Sequence, residues 1–184
     1  MSVKASEPRG DQGKAGAAIR KRQGTIQVVE FVLGKERFAI DLFDVREVVE
    51  YTTITKLPNV PSYVRGIIDL RGEITTIIDL KDRLNITDGD RVAAESSRII
   101  VLDDKITGTK IGILVDDVTS VSTFEEKQVD YASASMSDED SAIIGIIKRR
   151  VKVREKEKNE LIIWIDIRQL LKSVDGSPER SVQT

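Results

Sequence analysis

The chain of 184 residues is 40% apolar and 33% charged with a formal net charge of −2, which fits one soluble globular unit, or two small ones sharing a core, with polar tails. It has neither Cys nor His, so disulfides, thiolate metal sites, Cys nucleophiles, the common zinc sites and His-based acid–base chemistry are excluded together. No apolar run approaches the roughly 18–20 residues that span a bilayer, and Met1 to Gly24 lacks the apolar core of a signal peptide; the expectation is a soluble cytoplasmic protein.

Residues 1–24 carry four glycines, Pro8 and scattered charge, too little apolar surface to fold, and are expected to be a disordered arm. The folded part is expected at 25–172, and the tail 173–184, with Gly176 and Pro178, reads like the arm. Ile26 to Leu33 alternates, with Val29, Phe31 and Leu33 on one face and Ile26, Val28 and Val32 on the other. Gly34-Lys35 is a turn, and Phe38, Ile40 and Leu42 line one side of the strand that follows, which makes a hairpin. Val45, Val48 and Val49 continue as a bent strand or short turn. Pro58 and Pro61 mark an irregular connection, because each lacks a backbone donor and restricts its predecessor. Gly66 to Asp79 is a second hairpin turning near Arg71-Gly72-Glu73. Asp79 then caps a helix start, with Asp82 in the first turn where the dipole favours it. Residues 87–95 are polar and read as a linker.

The second half repeats the first. Ile111 to Val121 mirrors Phe38 to Val48, Val118 lying 73 residues after Val45. Ile143 to Ile147 mirrors the region of Gly66, with Gly145 79 residues later. Ile165 to Leu171 mirrors Ile78 to Leu84, with Asp166 87 residues after Asp79. Three matches in one order with a drifting offset imply a duplicated unit with insertions. The period is too long for a solenoid, and two small β-barrels, each ending in a capped helix, explain it better.

The acidic pairs Asp103-Asp104 and Asp116-Asp117 could bind a hard cation, but strand neighbours face opposite ways, and Asp103-Asp104 sits where a hairpin turn is expected. Asp79 and Asp166 could be an acid pair; capping explains them better, with Gln169 three residues after Asp166 in a capping-box arrangement. Lys148 to Glu160 holds seven cations against three anions. A nucleic-acid patch on 148–158 is the alternative reading of function, yet no aromatic interleaves the run, and Val151 and Val153 alternate with charge as in a solvated hairpin. Neither a Walker loop nor a Gly-x-Gly-x-x-Gly run occurs. Arg71 sits in the turn of an apolar hairpin, either as a solvated turn residue or as a protein-contact residue using its planar fork and stem.

Phe38-Ala39-Ile40-Asp41, Val45-Arg46-Glu47-Val48, Pro58-Asn59-Val60-Pro61, Val64-Arg65-Gly66-Ile67-Ile68-Asp69-Leu70-Arg71-Gly72, Ile78-Asp79-Leu80, Gly112 to Asp116 and Ile165-Asp166-Ile167 together resemble the CheW family of chemotaxis coupling proteins in order and spacing. The resemblance implies a mainly β fold of two intertwined SH3-like five-stranded β-barrels with short capping helices, roughly 25–90 and 96–172, with strand exchange between them. It implies a cytoplasmic adaptor, associated with membrane-bound chemoreceptor arrays, that joins methyl-accepting chemoreceptor tips to the regulatory domain of the chemotaxis histidine kinase. It implies no catalysis, no cofactor and no metal. Carried over by motif, Glu47, Val48, Gly66 and Arg71 fall where the family contacts the receptor's helical tip, in the groove between barrels; Gly66 would permit close backbone approach. Val29, Leu42 and Val45 fall where it contacts the kinase. The sequence departs from the family in having Asp69 where Asn usually precedes Leu-Arg-Gly, a charge that can alter the turn or compete for Arg71, and in the long charged hairpin from Lys148 to Glu160.

Overall fold

The computed structural model describes residues 24–87, 96–131 and 142–172. The expected arm before Gly24, the tail 173–184 and most of the 87–95 linker lie outside the described residues. Eleven strands and three short helices follow one another in the described chain. β1 (Thr25–Leu33) and β2 (Glu36–Asp41) form the first hairpin, and a 3-10 turn at Leu42–Asp44 leads into β3 (Val45–Glu50). β4 (Val64–Leu70), β5 (Glu73–Asp79) and α1 (Leu80–Arg83) close the first repeat. β6 (Arg98–Leu102), α2 (Asp104–Thr107), β7 (Ile111–Val115) and β8 (Asp117–Glu125) open the second. A 3-10 turn at Glu126–Gln128, β9 (Val129–Asp130), β10 (Ile143–Val153), β11 (Lys156–Ile165) and α3 (Ile167–Leu171) complete it.

The sheets do not follow the linear order of the repeats. One runs β8-β1-β2-β11-β10-β9, the other β3-β6-β7-β5-β4. Pairing each strand with its repeat counterpart (β1 with β6, β2 with β7, β3 with β8, β4 with β10, β5 with β11) turns one order into the other. The leading hairpin β1–β2 therefore sits in the sheet of the second half, and β6–β7 in the sheet of the first. A cut between residues 90 and 96 divides the sequence, and each sheet draws strands from both sides of it.

This exchange explains why β1 is apolar on both faces. Val29, Phe31 and Leu33 enter a core shared with Ile78, Ile100 and Ile113 of the other sheet. Ile26 and Val28 enter a second core with Phe124, Ile147 and Trp164. A third core, with Ile68, Ile77, Ile99 and Val101, lies on the far face of the other sheet. Strands buried on both faces read as near-continuous apolar runs, and each fully buried aliphatic contributes about 1.5–3 kcal/mol.

The repeat extends to irregularities. A register shift falls between Val64 and Gly66 in β4, and another between Ile143 and Gly145 in β10. Thr55 bridges Ile67 beside the first shift, and β9 pairs with Ile146 and Ile147 beside the second. The sixth strand of one sheet thus has a one-residue counterpart in the other. Asp79 caps α1 by accepting from the N–H groups of Lys81 and Asp82 at 3.0 and 3.3 Å, and Asp166 caps α3 by accepting from Gln169 at 3.0 Å.

Two local expectations are corrected. Asp103 and Asp104 do not make a simple hairpin turn: Asp103 accepts from Lys105 N–H at 2.9 Å and caps α2, whose Gly108 ends it at φ +67°. Gln169 does not close a capping box. The Asp166 N–H already donates to Ala142 O at 2.7 Å, and Gln169 Oε1 accepts from Lys172.

Candidate protein-contact surface

Arg71 and Gly72 form the β4–β5 turn with φ of +55° and +84°, the pair of positive angles that a two-residue hairpin turn of matching twist requires. Asp69 Oδ1 accepts from Gly72 N–H at 2.7 Å, so its charge is spent on the turn. The Arg71 guanidinium turns to Glu47, donating from Nη1 to Oε1 at 3.1 Å and from Nη2 to Oε2 at 2.8 Å. β3 and β4 are the two edges of their sheet. This bidentate pair therefore carries the tip of the β4–β5 hairpin across to the opposite edge. Arg71 stays largely exposed, and an exposed pair of this kind stabilises by about 0–1 kcal/mol; its significance is the placement of a cation fork at the rim.

The four expected receptor-contact residues do not form one patch. Glu47 and Arg71 join. Val48 is 41% exposed but lies on the other face of β3: it is level with Ile100 of the shared core, whereas Glu47 is level with Val101 of the far core. Val48 thus marks the margin of the face between the sheets. Gly66 is buried, and its close approach is to the chain's own Thr55. A Cβ there would stand 2.1 Å from Thr55 O, on a backbone with φ +142°.

The three expected kinase-contact residues separate as well. Val29 is 1% exposed and belongs to the shared core, so its side chain presents no surface. Leu42 and Val45 are partly buried at the margin of that core. Between them Phe43 is 60% exposed. Sequence reasoning passed over Phe43 because the 3-10 turn breaks the alternation that assigns faces in a strand; a lone aromatic between two aliphatics was the available signal. The turn is firmly held. Asp41 accepts from Phe43 N–H at 2.8 Å, Asp44 O accepts from Asp103 N–H at 2.9 Å, and the buried Asp44 carboxylate accepts from Arg168 Nη2 at 2.7 Å. Burial raises the Asp44 carboxyl above its ordinary value and Arg168 offsets only part of that.

The remaining acidic candidates are engaged in protein contacts. Asp116 accepts from Gly34 N–H at 2.6 Å and pairs with Lys81 at 2.7 Å, tying the β7–β8 junction to the β1–β2 turn and to α1. Asp104 pairs with Lys110, which holds its carboxyl below the usual range. Asp79 pairs with Arg65 at 3.2 Å, and burial raises its carboxyl despite that partner and its two helix N–H donors.

Residues 27–175 match the CheW-like domain family. The chain belongs to the CheW family. It is 30% identical over 151 residues to the chemotaxis protein CheW of Bacillus subtilis, covering 82% of this chain and 88% of that one. It is also 30% identical over 139 residues to the probable chemotaxis protein CheW of Rhizobium etli, covering 73% and 87%. Among solved structures, the scaffolding protein TtCheW from Thermoanaerobacter tengcongensis superposes with a TM-score of 0.63 at 34% identity, over 80% of this chain and 92% of the other. The mainly β fold of two SH3-like units is that of the family, and the chain is a chemotaxis scaffold or adaptor. No helix among the described residues is long and apolar enough to cross a membrane.

Proposed function

We propose that the chain couples chemoreceptor cytoplasmic tips to the regulatory domain of the chemotaxis histidine kinase, acting without catalysis or cofactor within membrane-associated receptor arrays. The observation that carries this reading is the arrangement around β3 in a protein of this family. The strand begins at a rigid turn displaying Phe43 between Leu42 and Val45, and carries the Arg71–Glu47 fork and Val48 at its middle. The first group is apolar and suits a hydrophobic patch on a partner barrel. The second is a guanidinium fork on one face of the edge strand β3 with Val48 on the other face, and suits a helical hairpin that straddles that edge. Gly66 lets the Thr55 segment pair with Ile67 of β4, the strand that leads to Arg71, and Val29 lies in the core against which Leu42 and Val45 pack.

Purified chain is mixed with a receptor cytoplasmic fragment and with the kinase regulatory domain, separately and together. Arg71→Glu weakens the receptor contact about tenfold or more, and Val45→Asp or Phe43→Ser does the same to the kinase contact, each sparing the other partner. Absence of binding to both partners at micromolar concentration overturns the reading.

A further inference from the structure

The β10–β11 hairpin outgrows its counterpart. β4 and β5 have 7 residues each, whereas β10 and β11 have 11 and 10. Neighbouring support stops early: β9 reaches only Ile146 and Ile147 of β10, and β2 only Ile163 and Trp164 of β11. Beyond those points, among the described residues, the strands pair only with each other, from Lys148↔Leu161 to Val153↔Lys156.

The ribbon leaves the body from a fixed base. Arg149 Nη1 donates to the fully buried Glu30 at 2.7 Å, and its Nε donates to Glu160 at 2.9 Å. Glu160 also receives Arg37 at 2.6 Å, and the Arg149 guanidinium lies 5.9 Å from the centroid of the Phe124 ring. Buried ion pairs of this kind add little net stability, because desolvation offsets attraction; they fix direction. Lys148 pairs with Asp130 at 2.8 Å. Past this base come Arg150, Lys152, Arg154, Lys156 and Lys158, and no ion pair among the described residues engages them. Residues 148–160 carry +4 in a chain of net −2, so the rest sums to −6. Two exposed aliphatics, Val153 at 53% and Leu161 at 55%, sit among the cations.

Among the described residues, one edge of the ribbon is open. The two-residue turn at Arg154 and Glu155, with φ of +48° and +61°, makes Val153 and Lys156 a hydrogen-bonded pair. The main-chain groups of Arg150 and Lys152 therefore point outward, in phase with Lys148 O, which accepts from Gln128. On the other edge, Arg37 reaches Glu160 and the parallel register of β2 brings its start alongside Leu161.

We propose that the open β10 edge from Arg149 to Val153 docks an extended acidic segment of a partner protein as an added strand. Main-chain bonds form at Arg150 and Lys152, and carboxylates of the segment meet the ribbon's cations. Nucleic acid fits less well, because Glu155 and Glu157 stand at the tip and no aromatic lies between Lys148 and Glu160 to stack on bases. The surface is separate from Phe43 and from the Arg71–Glu47 fork, so its test does not depend on the coupling function.

The full chain is titrated into a fluorescein-labelled decapeptide of alternating Glu and Val, with an alternating Lys and Val peptide, a single-stranded DNA 20-mer and a 20-base-pair duplex as controls. The acidic peptide binds saturably, and binding falls about tenfold between low and moderate salt. Lys152→Glu/Lys156→Glu/Lys158→Glu abolishes binding. Lys152→Pro, which removes an outward N–H, weakens binding further than Lys152→Ala does, and amide exchange slows at Arg150 and Lys152. The proposal is overturned if the acidic peptide does not saturate, if Lys152→Pro and Lys152→Ala bind equally, or if either DNA binds more tightly than the peptide.

Discussion

Replacing Gly66 with Ala tests the local architecture at its tightest point. The new Cβ would lie 2.1 Å from Thr55 O, 2.8 Å from Thr55 C and 2.9 Å from Ile54 Cγ2. The first two are backbone atoms, so no side-chain rotation relieves the clash. The backbone is also at φ +142°, a region open to Gly and costly by about 1–3 kcal/mol for a residue with a Cβ. Moving the Thr55 strand away breaks two main-chain hydrogen bonds, Thr55 N–H to Ile67 O and Ile67 N–H to Thr55 O, both 2.9 Å, at about 1 kcal/mol each. The sum is about 3–5 kcal/mol, or a melting temperature lower by about 10 °C or more in a domain of this size. Gly145→Ala is the internal control. There the nearest atom is the side-chain Val129 Cγ1 at 2.8 Å, with Asp130 O at 3.2 Å and no positive φ, so about 1 kcal/mol is expected. Urea and thermal unfolding of both variants measure the difference, and amide exchange at Thr55 and Ile67 localises it. Equal destabilisation by the two substitutions, or an unchanged Gly66→Ala protein, refutes the reasoning.

Other expectations follow from the ion pairs and the turn. Arg149→Ala leaves the Glu30 carboxylate buried without its cation and costs about 3–5 kcal/mol in chemical denaturation, part of which Glu30→Gln restores in the double variant. Burial raises the Glu160 carboxyl, but Arg149 and Arg37 more than offset this and hold it below its ordinary value of 4.5. Its stabilisation is therefore present above that value and lost as pH falls through and below it. Glu160→Gln should flatten that acid limb in unfolding curves from neutral to acid pH. Asp44 has the opposite sign: its raised carboxyl gives stability present at low pH and lost as pH rises through the folded value, a trend that Asp44→Asn removes. Asp69→Asn should be nearly neutral in thermal melts, since an amide oxygen can still accept from Gly72 N–H, whereas Asp69→Ala costs about 1 kcal/mol.

The hairpins, the caps and the repeat were legible because each rests on local chemistry. Alternation sets the faces of β1 and β2, and Asp79 and Asp166 each accept from a first-turn N–H whatever surrounds them. Strand exchange was expected only through the family resemblance, since sequence order does not say which sheet a hairpin joins. The apolar character of both faces of β1 was its residue-level trace, and it also accounts for the burial of Val29, which the family resemblance carries to the kinase contact. Gly66 shows a similar limit. Its lack of a Cβ correctly signalled close approach, but the approaching backbone belongs to Thr55, about ten residues earlier, across a connection that Pro58 and Pro61 made irregular. Asp69 read as a residue that alters the turn or competes for Arg71; it bonds the turn through Gly72 N–H, and it does not hold Arg71 because Glu47 lies within reach from another strand, which adjacency in sequence does not show.

The central claim is that one chain holds receptor and kinase at once through surfaces that meet at β3. The most direct measurement is sedimentation of the chain with a receptor cytoplasmic fragment and the kinase regulatory domain, comparing the native chain with Arg71→Glu. The native chain should form a complex containing all three, and Arg71→Glu should retain the kinase domain while losing the receptor fragment. A native chain that binds neither partner, or an Arg71→Glu chain that assembles all three as well as the native one, contradicts the account.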